Sequence, residues 1–307
     1  MTLESYLKQL RDEGIPPGHS ELLKLSGLSS DEASALFDVW PSIADPRRRE
    51  IVARMVELSD DNPELDFTTV YLSMLKDRDP DVRAKAARGL WECDERVIIR
   101  PLLDLLTADP DAGVRSAAAL TLGKFSTMAP EGKLLPRDAK NIQQALLSVI
   151  RNEGEDAEVR RRAIEAVAPF NTPEVEQAIR RAFASPDLKS KQSAIYAMGR
   201  SSDTQWLPTI VEQLDNEDKG IRYEAATACG YLGDESAVPH LIGLLDDDDL
   251  QVGLAAIRSL GDIGGPLARM ALMQWRKSGD EALAEAAEEA LSEMELEDDS
   301  LGLKFQL

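Results

Sequence analysis

The sequence predicts an all-α chain: a right-handed α-solenoid, or superhelix, of about eight two-helix repeats with an N-terminal helical cap. Three observations predict it. A 31-residue period runs through the second half, where Val159, Ser190, Ile221, Val252 and Leu283 each open a related decapeptide. A second amphipathic stretch precedes each decapeptide, as in VEQAIRRAFAS, LPTIVEQLDN and VPHLIGLLDD. The composition is 43% hydrophobic with only 5% aromatic residues, which suits close-packed helices better than a sheet sandwich. A fixed period of this size marks units that stack along one axis and pack only against their neighbours. That is how 307 residues escape the size limit of a single compact core.

Residues 1–40 are off-period. LESYLKQL and ELLKLSGLSSDEASALFDVW read as short helices around a Pro/Gly turn at 14–18, expected to cap the open apolar edge of the first repeat. The array is placed at 41–294, with decapeptides opening at Arg48, Val82, Val114, Val159, Ser190, Ile221, Val252 and Leu283. The 45 residues from Val114 to Val159 are one period plus an insertion, placed near 127–139. Positions one, five, eight and nine of the decapeptide are apolar or small, as one helix face requires, and Ala and Gly recur where backbones must approach closely. The links are turn chemistry: DPD at 79–81, DPDAG at 109–113, SPD at 185–187, NEDKG at 216–220 and DDDD at 246–249. Asp, Ser and Asn ahead of a helix accept bonds from its free N–H groups, and acidic side chains suit the positive end of its dipole. The tail, 295–307, is acidic and then apolar.

The DPDxVRxxAAxALG outline, best matched at 109–123 and 79–91, resembles HEAT repeats, specifically the short 31-residue variety of phycobilisome-lyase-like proteins, over roughly residues 40–292. The resemblance implies the solenoid. It implies no single function, because this repeat serves unrelated tasks.

The formal net charge is −21 and the pI about 4.5, which argues against a chain that wraps nucleic acid. Residues 201–307 hold 7 Lys/Arg against 23 Asp/Glu, so the C-terminal end is a negative pole suited to steering a basic partner. Two cysteines in different repeats, Cys93 and Cys229, indicate a reducing compartment rather than a disulfide framework. The N-terminus lacks a basic-then-apolar leader, and no apolar run approaches the ~18 residues that span a bilayer. A cytoplasmic protein, not a membrane one, is expected.

Position two of the decapeptide is basic six times, at Arg49, Arg83, Arg115, Arg160, Lys191 and Arg222, then becomes Gly253 and Ala284. It lies at the edge of the buried face, where an arginine reaches turn carboxylates of the adjacent unit; such a ladder accords with the HEAT resemblance. Positions three and seven lie opposite the buried face and would line the concave surface. Around its middle stand Arg161, Gln192, Tyr196, Tyr223, Leu254 and Arg258, the candidate partner-binding residues. Tyr and Arg beside an apolar side chain are the composition of a protein-binding hot spot.

No catalytic set, cofactor or metal site is expected. The array resembles deoxyhypusine hydroxylase, but that family needs His-Glu pairs as iron ligands, and the two histidines here, His19 and His240, precede Ser20 and Leu241. A HEAT-like DNA glycosylase would need a basic concave face, which Glu165, Glu285 and Glu289 oppose. Gly261–Gly265 is a turn between helices rather than a phosphate loop, and Asp246–Asp249 a solvated, capping turn rather than a calcium loop. The sequence therefore points to a non-catalytic scaffold or adaptor gripping a partner protein. The alternative is a bilin-lyase-like or oxidoreductase-related enzyme subunit or maturation factor.

Overall fold

The structure, a computed structural model, describes residue 10, residue 14 and residues 18–304 except residue 63. The helix expected at LESYLKQL lies outside the described residues, as does the tail beyond residue 304. Every regular element among the described residues is helical. The main helices are α1 Ser30–Val39, α2 Asp45–Asp61, α3 Thr68–Met74, α4 Pro80–Gly89, α5 Ile99–Ala108, α6 Ala112–Met128, α7 Pro136–Arg151 and α8 Ala157–Val167. They continue as α9 Pro173–Phe183, α10 Leu188–Arg200, α11 Leu207–Val211, α12 Lys219–Leu232, α13 Val238–Gly243, α14 Leu250–Ile263, α15 Gly265–Trp275 and α16 Glu281–Lys304. Each decapeptide opens in the first turn of an even-numbered helix. Each upstream amphipathic stretch falls in the odd-numbered helix before it.

The chain divides into two compact units, 1–166 and 167–307. In the first, α2 packs on α4 and α4 on α6, with α3 against α4 and α5 against α6; α1 packs on α3. In the second, α10, α12, α14 and α16 pack in succession, each backed by the odd-numbered helix of its own repeat. Helix starts follow the predicted turn chemistry. Asp79, Asp111, Asp156, Asp187, Asp218, Asp249 and Asp280 each accept a first-turn N–H of the following helix, at 2.8–3.1 Å. Such a cap is worth about 1 kcal/mol. Ahead of α1, Ser29 and Glu32 form a reciprocal capping box.

Position one of the decapeptide is the core. Val82, Val114, Val159, Ile221 and Val252 have no exposed surface, and each such side chain contributes about 2 kcal/mol of burial. Arg48 breaks the pattern: it is 1% exposed and donates to the Ile43 carbonyl (2.9 Å) and to Asp45 and Asp77 (2.9 and 3.2 Å). The Trp40 indole also donates to Asp77, at 2.6 Å. The first repeat thus holds a buried charge network where the others hold a valine or isoleucine.

Small residues set the helix spacing. A methyl group on Gly199 would stand 2.7 Å from the Ala228 Cα and 3.0 Å from its carbonyl oxygen. Position ten of one repeat meets position eight of the next in the same way at Gly123 and Ala166, Gly230 and Ser259, and Gly261 and Ala290. Where position eight carries a hydroxyl, it donates back to position six of the preceding repeat. Thr121 bonds the Ala87 carbonyl at 2.8 Å and Ser259 the Ala226 carbonyl at 2.9 Å.

The extra residues between Val114 and Val159 lengthen both helices, α6 to 17 residues and α7 to 16. The connection turns at Gly132 (φ 69°) and buries Leu134. Arg96 fastens its far end, donating to Asp138 at 2.7 Å.

The basic ladder joins successive repeats. Arg83 forms a two-pronged bond to Asp109, both contacts 2.8 Å, while its third nitrogen donates to the Asp77 carbonyl of its own turn. Arg222 repeats this with Asp247 (2.7 and 2.8 Å) and the Asn216 carbonyl. Arg115 does so with Glu155 and the Asp109 carbonyl, and Arg49 lies 3.0 Å from Asp79. Arg160 donates to the Glu153 carbonyl of its own turn, and Lys191 sits 5.2 Å over the Phe183 ring.

Two measurements test this scheme. Gly199→Ala gains at most about 1 kcal/mol of helix propensity but overpacks against Ala228 backbone, at about 1–3 kcal/mol. Its urea midpoint should fall, whereas Gly243→Ala, with nothing within 4 Å of the added methyl, should raise it. The second concerns Asp247, which the Arg222 guanidinium holds below the ordinary 3.8. A depressed carboxyl stabilises the fold above its unfolded pKa and loses that contribution as pH falls through the folded value. Asp247→Asn should cost about 2 kcal/mol at neutral pH. Urea unfolding from pH 7 down to about 3 should show that gap constant above about pH 5 and closing below about pH 4.

Candidate functional site

On an even-numbered helix, decapeptide positions three, seven and eleven are one turn apart and share a face. In the second unit that face carries Gln192, Tyr196 and Arg200 on α10. Tyr223, Thr227 and Tyr231 follow on α12, Leu254, Arg258 and Asp262 on α14, and Glu285, Glu289 and Glu293 on α16. Five of the six candidate residues, Gln192, Tyr196, Tyr223, Leu254 and Arg258, therefore lie on three successive helices of one unit. Arg161 lies on α8 in the first unit, its side chain 14% exposed and paired with Glu158.

The five differ in what they already hold. Gln192 is half-buried, and its amide donates to Asp218, the cap of α12, at 3.4 Å. A methyl group on Gly220 would lie 2.1 Å from that amide nitrogen, so glycine at 220 gives Gln192 its place. Tyr196 is half-buried and meets the Tyr231 ring edge-on, with centroids 5.7 Å apart and planes at 89°. Tyr223 is exposed, with its backbone carbonyl accepting the Thr227 hydroxyl at 3.0 Å. Leu254 is half-buried and Arg258 exposed.

Tyr231 and Arg200, absent from the sequence-derived set, complete the cluster. Tyr231 is 40% exposed, and the Arg200 guanidinium lies 5.0 Å over its ring. Both occupy position eleven, one residue past the decapeptide. Extending the three-and-seven stripe by one more turn would have found them.

The remaining chemistry-bearing groups are occupied or dispersed. Among the described residues no three His, Cys, Asp or Glu side chains gather as a metal site would require. Asp247 and Asp249 are bound by Arg222 and Lys219 while ordering the start of α14. His240 is exposed on α13, and burial pushes the Cys229 thiol up to about 12, far from a reactive thiolate. A cavity of about 230 Å³ in the first unit is walled by Glu64, Asp66, Glu92, Asp94 and Glu95 over Tyr71. Tyr71 is closed off by its bond to Ser59 at 3.3 Å.

The family model for HEAT repeats matches residues 68–136, 143–218 and 207–292. Among solved structures, the chain is similar to the complex of CpcE and CpcF of phycocyanin lyase from Nostoc sp. PCC7120: 15% identity, TM-score 0.55, covering 92% of this chain and 97% of that one. It is also similar to Kap95p bound to RanGDP (14% identity, TM-score 0.52) and to Kap95 in complex with Nup1 (14%, TM-score 0.50). Those two alignments cover 95% of this chain but only 44% and 46% of theirs. At these identities the likeness shows the fold. A search of curated proteins finds no match.

Proposed function

The chain belongs to the HEAT-repeat family, and from that premise we propose that it is a non-catalytic interaction scaffold or adaptor that grips a partner protein on the concave face of its array. One observation carries the reading. The face built by positions three, seven and eleven of α10, α12 and α14 displays three tyrosines and two arginines in a chain only 5% aromatic. Tyrosine and arginine gain most from burial against a partner, because each combines a wide apolar or planar surface with polar groups. The structural neighbours are also seen in complexes: CpcE with CpcF, and Kap95 with RanGDP and with Nup1.

The proposed centre is Gln192, Tyr196, Tyr223, Leu254 and Arg258, with Tyr231 added. Arg161 is retained as a separate candidate on the first unit. The division into a 1–40 cap, a 41–294 array and a 295–307 tail belongs to the same proposal, as does a cytoplasmic location. No helix among the described residues is long and apolar enough to cross a membrane.

A second reading, a bilin-lyase-like subunit or maturation factor, is favoured by the likeness to the CpcE–CpcF complex over 92% of the chain. The two readings separate on a visible spectrum of the purified native protein. A bound pigment supports the second, and a flat trace together with partner capture supports the first.

The scaffold reading is tested by quantitative capture from native extract, comparing wild type with Tyr196→Ala/Tyr223→Ala. Truncating two hot-spot tyrosines should cost at least about 2 kcal/mol, or about 30-fold in retention of the partner, at unchanged helicity. Equal retention would remove these tyrosines from the site, and Arg161→Ala tested alone would show whether the first unit holds the partner instead.

A further inference from the structure

On the proposed face of the second unit, we infer that the occupant is a short extended protein segment of defined order: an apolar anchor, then a cluster of lysines or arginines. This deepens the scaffold reading and rests on it. The face changes character from helix to helix. At α10 and α12 it is aromatic, with Tyr196 and Tyr231 edge to edge and Tyr223 exposed beside them in sequence register. At α14 it is mixed, with Leu254, the exposed Arg258, which enters no ion pair among the described residues, and the exposed Asp262 one turn on. At α16 it is negative, with Glu285, Glu289 and Glu293 all exposed, one helical turn apart and likewise free of ion pairs among the described residues.

The contrast with the turn carboxylates, and the shared register of the three, make this stripe informative. The turn carboxylates cap helices or bind the arginine ladder, and Glu288, off the stripe, lies 3.3 Å from Arg276. Three glutamates stacked at four-residue spacing on one helix repel one another by a few tenths of a kcal/mol per pair. A cationic partner would relieve that repulsion. Leu283, Ala287, Ala290 and Met294, on the other side of α16, are buried against the array, which leaves the glutamate face outward.

The length follows from the packing. Neighbouring helix axes stand about 8–10 Å apart, so three steps from α10 to α16 span about 25–30 Å. An extended chain covers about 3.3 Å per residue, so about eight residues cross the face. The order is fixed as well. An apolar side chain packs on the tyrosines, and the basic residues meet α16.

The test uses a random peptide library displayed on phage, panned against the full-length protein. Synthetic fluorescein-labelled copies of the enriched peptides are then titrated by anisotropy. Two variants are compared, Tyr196→Ala/Tyr223→Ala and Glu285→Gln/Glu289→Gln/Glu293→Gln, each checked for unchanged far-UV circular dichroism. The expected result is a consensus with the apolar–basic order. Its affinity falls at least about tenfold in the glutamine variant and with rising salt, and falls also in the tyrosine variant. Peptides that need the tyrosines but are neutral or acidic at the far end, and ignore the glutamine change, overturn the inference while leaving the scaffold reading in place. Peptides indifferent to both variants overturn the inference and the proposed centre together. No enrichment overturns the inference as well.

Discussion

Three arginines of the ladder are each held from two sides, by a carbonyl of their own turn and a carboxylate of the next, and this bridge governs how those repeats join. At Arg83, Arg115 and Arg222 the carbonyl ties the guanidinium to the start of its own helix, and Asp109, Glu155 and Asp247 tie it to the following unit. The carboxylate works in both directions too. Asp109 and Asp247 also accept the N–H of the capping residue two places on, so one side chain orders the turn and fixes its neighbour. Charge-assisted bonds of this kind are worth about 1.5–3 kcal/mol each. They act only when the repeats are in register.

The chain carries a record of that requirement. At Asp109 and Asp247, two places before the cap, and at Glu155, one place before it, an acidic turn residue meets a pairing arginine from the preceding repeat. Where the residue two places before the cap is Asn216 or Ser278, it still accepts the cap's N–H but carries no charge to neutralise. The preceding repeat then supplies Lys191, which turns to the Phe183 ring, or Gly253, which has no side chain. A methyl group at Gly253 would press to 3.2 Å on Leu283. Much of the net charge of −21 is therefore a by-product of helix capping and repeat joining.

This explains what was legible in the residues. A period of 31 with an aspartate at Asp187, Asp218, Asp249 and Asp280 reads directly as helix starts, because capping is local and needs no tertiary information. The position-ten glycines were legible as close approaches, since little but backbone proximity keeps glycine in a helix interior. Arg48 was opaque. An arginine at a core position reads as a weak repeat, and its burial is made tolerable by the Ile43 carbonyl, Asp45 and Asp77, the last 29 residues away in sequence and itself bonded by the Trp40 indole. That network also brings α1, read as part of an off-period cap, onto α3 as the first helix of a pair. The added length near 127–139 read only as an insertion, because periodicity locates extra residues without saying whether they extend a helix. Tyr231 and Arg200 were missed because the decapeptide frame stops one residue short of them.

The same accounting separates structural charge from available charge. A carboxylate that caps a helix or binds an arginine has its lone pairs filled, and asking it to bind a partner would cost the fold what the partner gained. Asp247 and Asp249 are such groups, so the DDDD run, the most conspicuous acidic feature in the sequence, is the least available. Glu285, Glu289 and Glu293 sit on the last helix, with no turn to cap and no ladder arginine to receive. Their spacing sets like charges one turn apart, at a cost in the free protein. Repeat architecture explains the buried side of α16 completely and the exposed side not at all. With its carboxylates in one register on a single helix, that side is where the chemistry of a partner is most legible.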